Sequence, residues 1–178
     1  MGTNLFKLSV HELIGHPGQM RELEVSAAAP EAWGAGLVTV PAGQALELEL
    51  RLESVHDGIL VTAEIDTTAI GECGRCLDPI ALPLEVEFQE LFAYHLDEAC
   101  EYEVQDDHVN LEPIVRDAVV LALPFQPVCR PDCPGLDVQT GEKLATQTEL
   151  TTALARDPRW DALASFDASE SAESAENE

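Results

Sequence analysis

Alternating apolar and polar residues mark the first half of the chain as β structure. Over residues 45–70 nearly every second residue is apolar, and the turn signal Asp57-Gly58 divides the segment into two runs. Strict alternation is typical of a strand with one buried and one solvated face. The segment therefore predicts an antiparallel β-hairpin. The same alternation predicts a third strand that begins at Leu82 and ends near Phe92, and a short strand over residues 6–10.

The pattern changes to helical spacing over residues 111–123. Apolar residues recur there three and four positions apart, Asn110 is a suitable N-cap, and Pro124 ends the helix. Asp157-Pro158 predicts the start of a second helix, while the acidic residues 97–108 predict a surface loop. Because strands occupy the first half and helices the second, without a regular βαβ alternation, we expect an α+β fold. Its antiparallel sheet would come mainly from the first half, with helices of the second half packed on it.

Charge narrows the choice of partners. The 178 residues are 46% hydrophobic and contain 34 Asp and Glu against nine Lys and Arg, a net charge of −25. A surface this acidic repels phosphate, so it disfavours broad nucleic-acid binding, including DNA binding, and favours a basic protein partner. The alternative is that the acidity serves only solubility.

Composition also predicts the domain organisation and the compartment. Residues 1–164 are expected to form one domain, and residues 165–178, with five acids and no base, an acidic disordered tail. The sequence shows neither a secretory signal nor an apolar run of the ~20 residues that a membrane-spanning helix needs. We therefore expect a cytoplasmic protein with reduced cysteines and no membrane partner.

Two close cysteine pairs are the strongest candidates for chemistry. Cys73 and Cys76 form a CxxC motif, Cys129 and Cys133 form a CxxxC motif, and 52 residues separate the pairs. Four thiolates in turn-prone segments suit one structural zinc ion. Two alternatives stay open: unmetallated turns with buried thiols, and a redox CxxC. The redox interpretation fits poorly, because such a motif normally opens a helix and Leu77-Asp78-Pro79 predicts a turn into a strand.

Other catalytic motifs are weak. His11 and His16 resemble a zinc-protease pair, but they lie five residues apart and so on different faces of a helix. We interpret this segment as a polar loop after a short strand. The sequence contains no nucleophile elbow, P-loop or dinucleotide-binding glycine motif.

Five segments in order carry a family resemblance. They are Asp57-Gly-Ile-Leu-Val, Cys73-x-x-Cys76-Leu-x-Pro79, Val109-x-Leu-x-Pro-x-Val-Arg116-Asp117, Leu121-x-Leu-Pro-x-x-Pro-x-Cys129-x-x-x-Cys133-x-Gly-Leu136 and Asp157-Pro-Arg-Trp-x-x-Leu163. Together they resemble the YceD family, the large ribosomal RNA subunit accumulation proteins, over roughly residues 5–164.

The resemblance implies a non-enzymatic role in making the large ribosomal subunit. The family genes often lie beside the gene for ribosomal protein L32, which makes L32 the specific candidate partner, with a ribosomal RNA precursor as the other. Arg75, Arg116 and Arg130 are the candidate contacts for RNA or for acids of a partner. The alternative function is a thiol-redox or metal-dependent enzyme that uses the cysteine motifs.

The chain departs from the family pattern after the CxxxC pair. Family members often continue with a second cysteine knuckle, and here Asp137 and Thr140 stand at its two cysteine positions. If the chain binds zinc, the ligands are then Cys73, Cys76, Cys129 and Cys133; the alternative is that the chain is a metal-free member of the family.

Overall fold

The computed structural model describes residues 5–95, 101–137, 140–145 and 159. In these ranges the chain forms eight strands and one helix. They are β1 (Lys7–Ser9), β2 (Met20–Ala28), β3 (Val38–Thr39), β4 (Ala45–Ser54), β5 (Gly58–Glu72), β6 (Pro79–Ala93), β7 (Tyr102–Glu103), β8 (His108–Asn110) and α1 (Glu112–Ala122).

Strands β2, β4, β5 and β6 pair antiparallel in that order and form the centre of a six-stranded sheet. The short β3 pairs with the end of β5, and β7 pairs parallel with the end of β6. Strands β1 and β8 form a separate two-stranded ladder. The predicted hairpin corresponds to β4 and β5, and the predicted third strand lies within the longer β6, so both predictions are confirmed.

One face of the sheet is the core. Val25, Leu48, Ile65 and Val86 lie side by side on the four central strands, and the last three are buried. The core also includes residues from the segments around β1, β3 and β8 and from α1, namely Phe6, Val10, Leu13, Trp33, Val40, Val109, Leu111, Ile114, Val115 and Val119. The period-two pattern thus determines which face of the sheet is buried, and the other face is exposed to solvent.

The predicted helix is confirmed, with bounds slightly narrower than the sequence suggested. Its N-cap is Leu111 rather than Asn110, although the Asn110 side chain accepts a hydrogen bond from the Glu112 backbone N–H at 3.2 Å. The helix buries Ile114, Val115 and Val119. In the described part of the chain, no helix has the length and apolar character needed to cross a membrane.

The predicted α+β fold, with several helices on the sheet, is wrong. The described residues are mostly β, and α1 is their one α-helix. Part of the predicted loop 97–108 instead supplies β7 and the start of β8. Pairing of β7 with the preceding β6, and of β8 with the distant β1, stabilises segments that show no alternation of their own. The helix predicted from Asp157 and the tail at 165–178 lie outside the described residues, Arg159 excepted.

Contacts divide the chain into two compact units, Met1–Cys129 and Arg130–Glu178. The described part of the second unit contains a turn in which Leu136 and Lys143 form an antiparallel bridge. One domain over residues 1–164 with an acidic tail stays a prediction.

Candidate metal centre

The CxxC motif lies in the connection between β5 and β6. This loop is a tight turn: the Leu77 backbone N–H donates to the Cys73 carbonyl oxygen at 2.9 Å, and the Cys73 N–H donates to the Asp78 carbonyl oxygen at 2.8 Å. Leu77 takes a left-handed backbone conformation, with φ at 59°. The two long paired strands thus hold both cysteines of the motif at one end of the sheet.

Backbone N–H groups point at the Cys73 sulfur. The N–H of Arg75 lies 3.5 Å from Sγ and that of Cys129 lies 3.4 Å from it. Burial raises the pKa of Cys73, but hydrogen bonds from the backbone of Cys76, Cys129 and Arg75 outweigh it and lower the pKa from 9.0 to about 6. Hydrogen bonds that favour the charged form are the usual cause of such a shift. The lowered pKa therefore favours the thiolate form of Cys73, which is the form that binds metals.

The CxxxC motif begins in the loop that follows α1. This loop returns to the sheet end, where the Pro127 carbonyl oxygen accepts a hydrogen bond from the Gly74 N–H at 2.8 Å. The contact brings Cys129 beside the first motif, and the Sγ atoms of Cys76 and Cys129 stand 3.7 Å apart. The Cys76 thiol also donates to an Asp78 carboxylate oxygen at 3.4 Å.

The spacing of the sulfurs fits a tetrahedral zinc ion. The Sγ atoms of Cys73, Cys76, Cys129 and Cys133 all lie within 4.8 Å of one another. Four sulfurs at about 2.3 Å from zinc would stand about 3.8 Å apart. None of these four described cysteines forms a disulfide, and all but Cys129 are buried. The cluster is thus compatible with one structural metal ion, as the sequence predicts.

The redox interpretation receives mixed support. The lowered pKa of Cys73 is what a nucleophilic thiol needs. Cys73 has no exposed surface, however, and the motif leads through Leu77 into β6 rather than into a helix. A buried thiolate without access to a substrate suits a metal ligand better than a nucleophile.

The three predicted arginines lie in different settings. Arg75 is exposed within the CxxC turn, Arg116 lies on α1 with its Nε 3.1 Å from the Asp117 carboxylate, and Arg130 lies in the second unit with its Nε 3.4 Å from the Asp132 carboxylate. The structure therefore brings Arg75 to the cysteine motif within the first unit, while Arg116 and Arg130 pair locally with neighbouring acids.

Sequence reasoning did not find the groove next to Arg75. It has a volume of about 880 Å³ and is lined by residues 34–38, by Val120 and by residues 123–128 as well as by Gly74 and Arg75. Phe125, at 92% exposure, is one of its lining side chains. The only sequence feature that pointed to this region was the Pro-rich segment after the helix. It predicted a loop there, but it did not predict a groove.

Hydrogen bonds link Asp137, Thr140 and Gly141 in a local turn of the second unit. An Asp137 carboxylate oxygen accepts a hydrogen bond from the Thr140 backbone N–H at 2.8 Å, and the Gly141 N–H donates to the Asp137 carbonyl oxygen at 2.8 Å. A carboxylate that accepts a nearby backbone N–H forms a stable local turn without a metal.

Comparison with known proteins identifies relatives over most of the chain. The family described as "Large ribosomal RNA subunit accumulation protein YceD" matches residues 61–167. The uncharacterized protein Rv2926c of Mycobacterium tuberculosis is 43% identical over 151 residues, which are 81% of this chain and 72% of the relative. The uncharacterized protein ML1660 of Mycobacterium leprae is 33% identical over 74% of this chain and 64% of the relative. YlbN of Bacillus subtilis, also uncharacterized, is 31% identical over 55% of this chain and 62% of the relative. No solved structure matches the chain.

Proposed function

The chain belongs to the YceD family, and on that premise we propose that it is a non-enzymatic ribosome biogenesis factor. It supports the accumulation or maturation of large-subunit ribosomal RNA. The observation that carries this proposal is the family match, whose description names the accumulation of that RNA.

The proposed mode of action is binding. The factor holds a large-subunit ribosomal protein, with L32 as the specific candidate, or a segment of the precursor RNA during assembly. Two observations favour the protein partner. The net charge of −25 repels phosphate, and the Arg116 and Arg130 side chains already pair with Asp117 and Asp132.

The proposed role of the cysteine cluster is to hold one structural zinc ion. Within the first unit, a metal bound by Cys73, Cys76 and Cys129 would fasten the β5–β6 turn to the loop after α1. Cys133 supplies the fourth sulfur, four residues after Cys129. The N–H groups aimed at the Cys73 sulfur support this proposal, because they stabilise the charge that thiolate ligands bring.

A thiol oxidoreductase is the second candidate, and the lowered pKa of Cys73 is the observation that favours it. It predicts that zinc-free protein catalyses thiol–disulfide exchange, measured as reduction of insulin by dithiothreitol. An exchange rate equal to that of a Cys73→Ser variant would rule this candidate out.

The test of the proposed function is complementation in cells that lack the gene. Restoring the wild-type gene should restore the ratio of large- to small-subunit ribosomal RNA, measured by capillary electrophoresis of total RNA.

Affinity purification of the protein from the same cells, with and without nuclease, distinguishes the two binding modes. A ribosomal protein retained after nuclease supports the protein-binding mode, and loss of all ribosomal material supports the RNA mode. An unchanged RNA ratio in cells without the gene would contradict the proposal.

A further inference from the structure

The solvent-facing side of the central sheet carries two rows of acids. In the first row, strand pairing sets Glu24, Glu49, Glu64 and Glu87 side by side across β2, β4, β5 and β6. In the second row the same pairing aligns Ser26, Glu47, Asp66 and Glu85. We call these two rows the acidic sheet face. Seven of its eight positions are acidic, none is basic, and all eight are exposed.

The charges of this face are not compensated within it. The described ion pairs of the protein include none to these seven acids, and the one hydrogen bond to their side chains is donated by the Ser26 hydroxyl to Glu47. Like charges directly opposite each other on paired strands destabilise a sheet. The four glutamates of the first row stand on strands about 4.8 Å apart and form three directly opposed pairs, and the two carboxylates of each pair repel each other.

The surroundings of the face suit a polypeptide rather than isolated ions. A depression of about 640 Å³ opens on it, and its lining includes Glu24, Glu49 and Glu64 of the face together with Glu22, Arg51 and Thr62 of the neighbouring row. Two rows further along the same side, register aligns Met20, Glu53, Leu60 and Leu91, and Met20 is 55% exposed. Between this row and the acids lies the row of Glu22, Arg51, Thr62 and Gln89, in which the Arg51 guanidinium pairs with Glu53 at 2.6 Å. Apolar side chains are therefore separated from the acidic sheet face by one row, within reach of a bound segment that carries both basic and apolar residues.

We propose that the acidic sheet face is a docking surface for a lysine- and arginine-rich polypeptide segment. Charge complementarity selects this occupant: the face attracts cationic side chains and repels RNA and a second copy of this acidic chain. That the segment belongs to a ribosomal protein rests on the proposed function. The surface itself rests only on the register and the charges.

Two variants with the same net charge test the proposal. In the first, Glu24, Glu49, Glu64 and Glu87 are all replaced by Gln. In the matched control the exposed glutamates Glu12, Glu31, Glu101 and Glu142, which lie outside the face, are replaced by Gln. The probe is a fluorescently labelled peptide of about ten residues, rich in Lys and Arg with two apolar side chains, and the readout is fluorescence anisotropy at low and at physiological salt.

Wild-type protein and the control variant should bind the peptide with affinities within about twofold of each other, and the row variant should bind at least about tenfold more weakly. The row variant should also melt at a higher temperature than wild type, because it has lost the cross-strand repulsion, so that weak binding cannot be attributed to unfolding. Equal loss in both variants, or no binding by wild type, would overturn the proposal. A row variant that fails to bind the peptide but still restores the ribosomal RNA ratio would leave the proposed function intact and would exclude this face from it.

Discussion

The Sγ atoms of Cys76 and Cys129 lie 3.7 Å apart although 53 positions separate them in the sequence. That distance is nearly twice the length of a disulfide bond and close to the spacing of two sulfurs on one zinc ion. It is set by two local structures, the tight β5–β6 turn and the loop that returns from α1. A metal at this point would crosslink two segments that hydrogen bonds from Gly74 to Pro127 and from Cys129 to Cys73 already hold together.

The most direct prediction concerns the zinc content of the purified protein. Purified wild-type protein should contain about one zinc ion per chain, measured by inductively coupled plasma mass spectrometry, because four thiolates saturate a tetrahedral ion. A Cys76→Ser variant should lose most of it. Cys100→Ser, which changes the one cysteine outside the two motifs, is the control and should keep it. Substoichiometric zinc in wild-type protein prepared with added zinc would exclude the site.

Removal of the metal should lower the stability of the fold. A ligand that binds only the folded state stabilises it by mass action, so a strong zinc chelator should lower the melting temperature of wild-type protein by about 5 °C or more. The shift should be reversed by zinc and should be absent in Cys76→Ser, which cannot complete the site. Identical melting curves with and without chelator would show that the cysteines stabilise the protein without a metal.

The sequence predicts local structure and the members of the candidate site, but not how distant segments meet. Leu48, Ile65 and Val86 could be assigned to one buried face because a strand repeats every two residues. The pairing of Leu8 with Val109 could not be predicted, since it depends on a partner strand far along the chain. In the same way the motif spacing identified Cys73 and Cys129, whereas their contact depends on the Gly74–Pro127 hydrogen bond, which no pattern in either motif encodes.

In the metal-free protein, the Cys73 side chain should change from thiol to thiolate as the pH rises. Its pKa is lowered from 9.0 to about 6. A chelator-treated sample should therefore show a thiolate absorbance change at 240 nm with a midpoint near pH 6 that Cys73→Ser lacks.

Because the pKa of Cys73 is lower in the folded state, this group stabilises the fold fully above pH 9, and the contribution falls as the pH drops toward 6. Urea unfolding of wild type and Cys73→Ser should accordingly differ more at pH 9 than at pH 6. A 240 nm titration that the substitution leaves unchanged below pH 8 would contradict the assignment.

A glycine close to the cysteine turn tests whether the sheet end positions the cluster. An added Cβ at Gly71 would lie 2.0 Å from the Leu37 carbonyl oxygen and 2.8 Å from the Val38 Cα, both in the backbone around β3. Backbone atoms cannot yield as a flexible side chain can, so Gly71→Ala should separate β3 from β5 and cost about 2 kcal/mol or more in urea unfolding. It should also weaken zinc retention in competition with a chelator, because Gly71 lies two residues before Cys73.

Gly74→Ala is the matched control. Its Cβ would meet its nearest atoms, in Leu37 and Pro127, at 3.4 Å, so it should lower stability by much less. Equal stability and zinc retention in the two variants would show that the β3–β5 contact does not position the cysteines.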